Sequence, residues 1–236
     1  MVSKAPGRVV SPDSLGTLLK RGAESEIRLG TYMGVKAVYK LRVRKEYMHP
    51  KLDSMLRAQR TRREARVLLH ARSHGATVPR VLAVYPSMGL IVMEYIEGAT
   101  LKRIIDENTS KPPLELVREA GRQLGILHRS GIVHGDPTTS NYILSDGGAL
   151  YIIDFGLADF SAEIEDRAVD LHLFRRAVES THAPVAGALY KAFLEGYLGI
   201  MGAVGEEVSG RADEIRLRGR YVEARRATAW RFLGEG

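Results

Sequence analysis

The hydrophobic and polar positions follow two different patterns along the chain. In the first hundred residues, short apolar runs are separated by glycine and proline, which is typical of strands joined by turns. One stretch there, residues 53–71, has no glycine or proline and many helix formers, so it predicts a helix. The predicted strands cover residues 15–20, 26–32, 35–43, 81–85 and 90–96.

After Gly98 the apolar residues recur every three or four positions, which indicates amphipathic helices. Helices are predicted over residues 101–107 and 114–129, and again from Ala168 onward. Short strands are predicted at residues 132–133, 142–144 and 151–153, with a hairpin turn at Asp146-Gly147-Gly148 joining the last two. The pattern predicts an α+β protein, with a small β-rich lobe over residues 1–97, a hinge near residues 94–98 and a mostly α lobe over residues 98–236.

Composition excludes several classes of protein. Hydrophobic residues make up 44% and charged residues 27% of the 236 residues, which is ordinary for a globular protein, and no apolar run is long enough to span a membrane. With no cysteine, a disulfide, a thiolate metal site and a cysteine nucleophile are excluded. The first eight residues lack the apolar segment of a signal peptide, so we expect a cytoplasmic protein. Only two Asn and two Gln occur among many Arg, which is typical of thermophiles.

The net charge of +7 is unevenly distributed. Residues 36–66 hold eleven Lys and Arg against three acidic residues, and residues 211–231 hold seven Arg against three. Residues 154–170 have the opposite balance, with six acidic residues and one Arg. Basic clusters of this kind favour a polyanionic partner such as tRNA, although either run could instead be a solvated helix face with internal ion pairs.

The strongest motif is His134-Gly135-Asp136-Pro137-Thr138-Thr139-Ser140-Asn141, followed by Asp154-Phe155-Gly156. This order and spacing resemble the catalytic loop and the metal-binding motif of protein kinases. In that reading Asp136 orients the acceptor hydroxyl or water, while Asn141 and Asp154 hold Mg²⁺ on the phosphates of ATP. His134 is interpreted as a structural residue that ties down the loop.

Upstream, Ala37-Val38-Tyr39-Lys40 resembles the kinase strand that carries the phosphate-binding lysine. Lys40 needs a carboxylate partner on the next helix, and Glu64 is the candidate because no other acid lies between Asp53 and Glu94. On the same resemblance, the nucleotide site includes Ala37, Glu94 and Ile96.

Three departures from ordinary kinases are visible. The glycine-rich phosphate loop is reduced to Gly22-Ala23-Glu24-Ser25, so either Glu24 has a special task, or nucleotide binding is weak, or the segment is a plain surface turn. Gly135 stands where protein kinases have Arg. Asp154 lies only sixteen residues before Asp170 and no Ala-Pro-Glu motif follows, so the platform that docks an extended peptide is expected to be missing.

The chain as a whole resembles the small atypical kinase of the KEOPS complex, a family related to the RIO kinases. The resemblance extends from about Gly22 to Tyr221 and departs at Pro137, where a leucine-like residue is usual. It is carried by the runs at residues 134–141, 154–157 and 165–170, and also by those at 40–42, 45–47, 49–53, 60–64 and 218–221.

This resemblance implies a bilobal kinase-like fold, ATP and Mg²⁺ as ligands, and a role in making threonylcarbamoyladenosine in tRNA. The family is similar to Ser/Thr protein kinases but is thought to act mainly as an ATPase or switch. The implied partners are the threonylcarbamoyl-transferase subunit, a small accessory subunit and, through the complex, tRNA. Two alternatives stay open: a small-molecule phosphotransferase of the aminoglycoside or choline kinase type, and a non-catalytic scaffold with a relic site.

Overall fold

The computed structural model describes the backbone of residues 15–233 and the side chains of residues 15–218. These residues form two compact units. The first contains residues 15–66 and 79–95, and the second contains residues 67–78 and 96–233.

The first unit is built on a five-stranded antiparallel sheet in the order β1-β2-β3-β5-β4. Its largest ladder joins β2 to β3 across the tight turn at Met33-Gly34, where Lys40 is paired with Ile27. The strands are β1 (Thr17–Arg21), β2 (Ser25–Tyr32), β3 (Val35–Arg42), β4 (Val81–Tyr85) and β5 (Leu90–Glu94). Between β3 and β4 lies the long helix α1 (Pro50–Ser73), which belongs to the first unit as far as Arg66.

A small hydrophobic core supports the sheet of the first unit. Ala37 and Tyr39 of β3 pack with Leu90 and Val92 of β5, and all four are buried. These residues alternate along their strands, so every second side chain of β3 points to this core. The intervening residue Lys40 points to the opposite face, which places its cationic side chain on the face that does not contain the core.

The second unit begins with β6 (Gly98–Thr100), α2 (Leu101–Glu107) and α3 (Leu114–Arg129). Two small sheets follow. In the first, β8 (Tyr142–Ser145) lies between β6 and β9 (Leu150–Ile152), and in the second, β7 (Ile132–Val133) pairs with β10 (Asp159–Phe160). The loops between these short strands carry both motifs predicted from the sequence, at residues 134–141 and 154–156.

The rest of the second unit is α4 (Ile164–Thr181) and α5 (Ala186–Leu233), which breaks at Gly202, where φ is 56° and ψ is −136°. The first part of α5 packs closely on α3, since a Cβ on Gly121 would stand 1.9 Å from the Phe193 carbonyl oxygen. A Cβ on Gly196 would meet the Arg118 carbonyl oxygen at the same distance. The crossing therefore requires glycine on both helices, and it brings Phe193 against Phe174 of α4 with ring centroids 3.5 Å apart.

The predicted α+β class is confirmed, and three helices or strands, at residues 81–85, 101–107 and 114–129, have the predicted bounds. The last helical region begins at Ile164 and not at Ala168, because Glu165 and Asp166 in its first turn favour a helix N-terminus. The strand predicted at residues 15–20 lies at Thr17–Arg21, and the strand predicted at 90–96 ends at Glu94. The two- and three-residue strands β6 and β10 are too short to produce a hydrophobic period.

Candidate functional site

In the first unit, Lys40 and Glu64 form the ion pair that the sequence predicts. Lys40 Nζ donates to Glu64 Oε1 at 2.5 Å, and all three residues of this group, with Arg42 as the third, are less than a tenth exposed. The Arg42 guanidinium donates to the other carboxylate oxygen, also at 2.5 Å. One buried carboxylate therefore balances two buried cations, and this leaves a net positive charge beside the strand that carries Lys40.

The turn between β1 and β2 replaces the glycine-rich loop of kinases, and Glu24 anchors it. The Glu24 carboxylate accepts from Lys45 Nζ at 3.1 Å and from Arg60 of α1 at 2.9 Å, and its main-chain oxygen accepts from Val43. Hydrogen bonds from Lys45 and then Arg60 lower the pKa of Glu24 below its usual value. Glu24 thus holds a turn that lacks two of the usual glycines, while Gly22, Ala23 and Ser25 supply its backbone; their contact with nucleotide stays a prediction.

Three further predicted nucleotide residues lie at the ends of strands. Ala37 is fully buried and pairs with Glu94 across β3 and β5. The Glu94 carboxylate accepts from the Arg80 guanidinium at 3.2 Å and from the Arg80 backbone N–H at 3.1 Å. Ile96, in the second unit, is buried. Their role in binding a nucleotide stays a prediction.

In the second unit, Asp136 and Asn141 face each other across one loop. Asn141 Nδ2 donates to Asp136 Oδ2 at 2.9 Å and to the Asp136 carbonyl oxygen at 2.8 Å. The loop is closed by two backbone bonds, Thr138 N–H to Asp136 O and Asn141 N–H to Thr138 O, both 2.9 Å long. Because its amide N–H₂ group makes these bonds, Asn141 can offer its side-chain oxygen to a cation.

His134 ties this loop to the strand that precedes Asp154, as the sequence predicts. Its Nε2 donates to the Ile153 carbonyl oxygen at 3.0 Å, and its Nδ1 accepts from the Asp136 N–H at 3.2 Å. Burial lowers the pKa of His134, and this favours the neutral ring with the proton on Nε2. A neutral, fully buried ring that uses both nitrogens in this way is a structural residue and leaves no nitrogen for acid–base chemistry.

Asp170 of α4 is the main anchor of the loop, and sequence reasoning did not identify this role. Its buried carboxylate accepts from the backbone N–H groups of His134 at 2.6 Å and Gly135 at 2.8 Å. It also accepts from Nε2 of buried His128 at 3.0 Å, while Nδ1 of His128 lies 2.8 Å from the Tyr197 hydroxyl. The run at residues 165–170 pointed to Asp170 as part of a family pattern, but its partners lie 35 to 42 residues away.

Replacing this carboxylate should weaken the fold in a pH-dependent way. Burial raises the pKa of Asp170, but the hydrogen bond and the charge of His128, with further help from His134, outweigh burial and hold it below its usual value. A carboxyl with a lowered pKa stabilises the fold above the unfolded-state pKa, and that stability is lost as the pH falls through the folded-state pKa. We therefore expect Asp170→Asn to lower the free energy of unfolding by roughly 2–4 kcal/mol at pH 7.

Urea titrations of the wild type and Asp170→Asn between pH 3 and 8 check this expectation. The gap between the two curves should narrow below about pH 4, where the unfolded carboxyl also protonates. A gap that stays constant down to pH 3 would contradict the proposed anchoring by a charged carboxylate.

Gly135 occupies the place of the kinase Arg because the backbone there requires glycine. Its φ is +80°, and a Cβ at this position would stand 2.8 Å from the Leu157 carbonyl oxygen. Gly148, in the β8–β9 turn, has a similar φ of +83° but nothing within 4 Å of the corresponding Cβ. The two glycines therefore differ in crowding and share the same backbone requirement.

This difference predicts unequal costs for the same substitution. Gly148→Ala should lose about 1 kcal/mol of unfolding free energy, which is the cost of a left-handed alanine. Gly135→Ala should lose more than about 2 kcal/mol, because the clash with Leu157 adds to the same backbone cost. Chemical denaturation of both variants measures the difference directly, and equal losses would rule out the clash.

Asp154 is held in a strained backbone conformation next to the Asp136 loop. Its φ is +65°, and Met33 is the other non-glycine residue with positive φ between residues 15 and 218. Its carboxylate caps the short turn Phe155–Leu157 by accepting from Gly156 N–H at 3.4 Å. The Ile153 N–H donates to the Asn141 carbonyl oxygen at 2.9 Å, which ties Asp154 to Asn141 through the backbone. Strain of this kind is concentrated at functional residues.

The donor set of this loop fits magnesium. An amide oxygen from Asn141 and a carboxylate from Asp154 are the hard oxygen ligands that Mg²⁺ prefers, and phosphates and water commonly complete its shell. Among residues 15–218, no three His, Asp or Glu side chains form a group that could hold a metal ion without such outside ligands. The site therefore suits a metal that arrives with its nucleotide.

The two basic runs are partly neutralised within the protein. In the run 36–66, Arg57 pairs with Asp53, and the pairs with Glu24 and Glu64 use four more cations. In the run 211–231, Arg211 pairs with Glu165 and Arg216 with Glu179, both acids of α4. The remaining arginines of the second run from Arg220 onward lie outside the residues whose side chains the structure describes.

Known proteins share this arrangement of sequence. The family model described as "RIO domain" matches residues 30–168, which is more than half of the chain. The KEOPS complex subunit Bud32 of Pyrococcus abyssi is 46% identical over 213 residues, which cover 87% of this chain and 96% of that protein. The chain belongs to the RIO-domain family. Within this family it is similar to the Bud32 proteins, which confirms the resemblance drawn from the motifs.

Two other members of the comparison extend this result. The EKC/KEOPS complex subunit bud32 of Dictyostelium discoideum is 35% identical over 219 residues, which cover 90% of this chain and 86% of that protein. A probable bifunctional tRNA threonylcarbamoyladenosine biosynthesis protein of Methanothermobacter thermautotrophicus is 39% identical over 206 residues. This chain spans only 37% of the length of that bifunctional relative. Membership of the RIO-domain family indicates an activity of the kinase or ATPase type. Among the described residues, no helix is long and apolar enough to cross a membrane.

Proposed function

We propose that this protein is an ATP-dependent phosphotransferase of the Ser/Thr kinase type with ATPase activity, which serves a KEOPS-type complex in making threonylcarbamoyladenosine in tRNA. The observation that carries the proposal is the Asp136–Asn141 pair, closed by short hydrogen bonds and anchored by the buried Asp170. The names of the relatives, a KEOPS complex subunit and a tRNA threonylcarbamoyladenosine biosynthesis protein, support the cellular role.

In the first unit, the proposed role of Lys40 is to contact the phosphates of ATP. Glu64 keeps its ammonium group extended and charged, and Arg42 adds positive charge on the other side of the same carboxylate. Backbone groups near Ala37 and Glu94 are proposed to contact the nucleoside.

In the second unit, the proposed role of Asp136 is to orient the attacking hydroxyl or water. Orientation is the larger part of this role, because an aspartate is a weak base at neutral pH. Asn141 and Asp154 would hold Mg²⁺, which supplies charge neutralisation on the transferring phosphoryl group when bound. The hydrogen bond from Asn141 to Asp136 keeps the acceptor group and the metal ligand in a constant relation.

Hydrolysis of ATP is favoured over phosphorylation of an extended peptide. Between the turn at Phe155–Leu157 and the start of α4 at Ile164, the two-residue strand β10 is the only regular structure. A segment this short offers little backbone for docking a peptide, and Gly135 removes the Arg that would hold a phosphorylated loop. We therefore infer that water, or a hydroxyl presented by the complex, is the physiological acceptor.

Partner contacts are proposed on the basic surface of the chain. Exposed cations of the run 36–66 that have no ion-pair partner among the described residues are suited to tRNA phosphates or an acidic partner surface. They are Arg44, Lys51, Arg62 and Arg66. The C-terminal run is proposed to act through Arg220 and later residues, since Arg211 and Arg216 already pair with α4.

The fate of the γ-phosphate of labelled ATP tests the proposal. The purified chain should release free phosphate with Mg²⁺, and release should increase when the threonylcarbamoyl-transferase subunit and tRNA are added. Label that moves mainly onto protein Ser or Thr, with no response to tRNA, would favour a dedicated protein kinase. Transfer to added aminoglycosides or choline would favour the small-molecule alternative, and no turnover under any condition would favour the scaffold.

A further inference from the structure

The side chains of the Thr138-Thr139-Ser140 stretch have no part in the chemistry proposed above, yet Thr139 is specifically held. Its side chain is buried, with the residue 2% exposed, and its hydroxyl lies 3.1 Å from Nε2 of His182. His182 follows the last turn of α4 and is 4% exposed. Its other ring nitrogen, Nδ1, lies 3.0 Å from Oδ1 of Asp106 in α2. Three residues from three separate segments thus form one line of polar contacts that ends on the Asp136 loop.

The chemistry of these groups determines the direction of each hydrogen bond. A carboxylate only accepts, so Nδ1 of His182 carries a hydrogen and donates it to Asp106. The neutral ring then has a lone pair on Nε2, and the Thr139 hydroxyl donates to it. Burial lowers the pKa of His182, the charge of Asp106 raises it and Lys102 lowers it, and the net shift is downward. The neutral ring that this arrangement needs is therefore favoured near pH 7.

The order carboxylate, imidazole and hydroxyl is also that of an activated nucleophile. Burial argues against that role here. Because Thr139 and His182 are both almost fully enclosed, a phosphoryl group could not reach the Thr139 hydroxyl without opening the loop. The contact therefore serves to position the loop.

The Thr139 contact complements the other anchors of this loop. His134 and Asp170 hold its beginning, through the N–H groups of residues 134 to 136. The bonds between Asp136 and Asn141 set their spacing but do not fix the far end of the loop to the rest of the unit. Thr139 lies in the short turn Thr139–Asn141, two residues before Asn141. A shift of Thr139 would therefore carry Asn141, and with it the Asp136 side chain.

We propose that His182, oriented by Asp106, is a positioning residue for the phosphoryl-transfer or hydrolysis reaction. By holding the Thr139 hydroxyl, it sets where Asp136 and Asn141 stand. This inference rests on the proposed function. The inner contact, between His182 and Thr139, carries most of the effect, because the Asp106 side chain is 45% exposed and also pairs with Lys102.

The test compares substitutions that keep or remove the Thr139 hydroxyl. Thr139→Val has the same shape without the hydroxyl and should lower kcat for ATP turnover about tenfold or more, as expected for a small displacement of reacting groups. KM for ATP should change less than about twofold, since no phosphate contact is lost. Thr139→Ser restores the hydroxyl and should recover most of kcat, and Asp106→Asn should have a smaller effect than Thr139→Val.

A matched control separates positioning from general loss of packing. Thr61 is a fully buried threonine of α1 whose hydroxyl bonds to the Arg57 carbonyl oxygen at 2.7 Å. Thr61→Val should lower the unfolding midpoint as Thr139→Val does, without the loss in kcat. If Thr139→Val lowers the unfolding midpoint and leaves kcat unchanged, Thr139 has only a structural role and the inference is wrong.

A spectroscopic measurement tests the same contact without activity. Nitrogen NMR of the His182 ring should show a protonated Nδ1 and an unprotonated Nε2, and Thr139→Val should shift the Nε2 signal. The opposite tautomer would overturn the inference whatever the turnover. A wild type without turnover would overturn the proposed function, and the ring signals would still decide whether His182 holds Thr139.

Discussion

Asp136→Asn should lower the rate of ATP turnover at least about a hundredfold, which corresponds to about 3 kcal/mol in the activation barrier. The asparagine side chain has almost the same shape, and its oxygen can still accept from Asn141 Nδ2 at the present 2.9 Å. Its N–H₂ group then faces the acceptor, where it can neither accept the proton nor orient the attacking oxygen. The fold should be preserved, with an unfolding free energy within about 1 kcal/mol of the wild type.

Steady-state release of labelled phosphate and urea unfolding of the same preparations measure the two quantities. Asp146→Asn is a matched control, since Asp146 is an exposed carboxylate in the β8–β9 turn of the same unit. It should leave turnover unchanged. Turnover of Asp136→Asn within about tenfold of the wild type would exclude Asp136 as the orienting group.

Glu64→Ala should be the most destabilising single substitution in the first unit. It leaves Lys40 and Arg42, which are 6% and 5% exposed, without their shared carboxylate. Breaking a buried pair from one side costs about 3–5 kcal/mol, because an uncompensated charge stays in a low-dielectric environment. Two cations depend on Glu64, so the upper part of this range is expected. Turnover per folded molecule should also fall, because Lys40 loses the group that holds it in place.

Asp53→Ala provides the control for this experiment. Asp53 is a carboxylate of α1 that is 2% exposed and accepts from Arg57 at 2.8 Å and from the Lys45 N–H at 3.1 Å. Its loss should destabilise the first unit and leave turnover of the folded protein near normal. Chemical denaturation and turnover at a temperature where all variants are folded distinguish these cases. If Glu64→Ala loses less than about 1 kcal/mol, the buried pairing is not a stabilising contact.

The local predictions that agree with the structure concern features with a strong repeat or a strict order. The helix at residues 114–129 was predictable because its buried residues recur every three or four positions over sixteen residues. The Lys40–Glu64 contact was predictable because a single acid lay in the stretch between Asp53 and Glu94. Asp136 and Asn141 lie five residues apart in one loop, so their contact needed only a local turn.

Contacts between distant segments were not predictable in the same way. The sequence marked Glu24 as unusual, but its partners Lys45 and Arg60 lie 21 and 36 residues further along the chain. The basic run containing them suggested a surface for a polyanion, whereas five of its cations bind acids of the protein itself. Charge in a sequence gives a local sum, and the pairing of each charge depends on which helix faces which strand.

The sequence by itself determined the α+β class, the order of the chemical groups and the family to which they belong. These depend on periodicity and spacing, which are properties of neighbouring residues. Only the tertiary structure decided how the groups are held: Asp170 beneath the start of the Asp136 loop, and His182 against Thr139, 43 residues away. A buried polar side chain takes the partner that packing brings to it, and no local pattern records which partner that is.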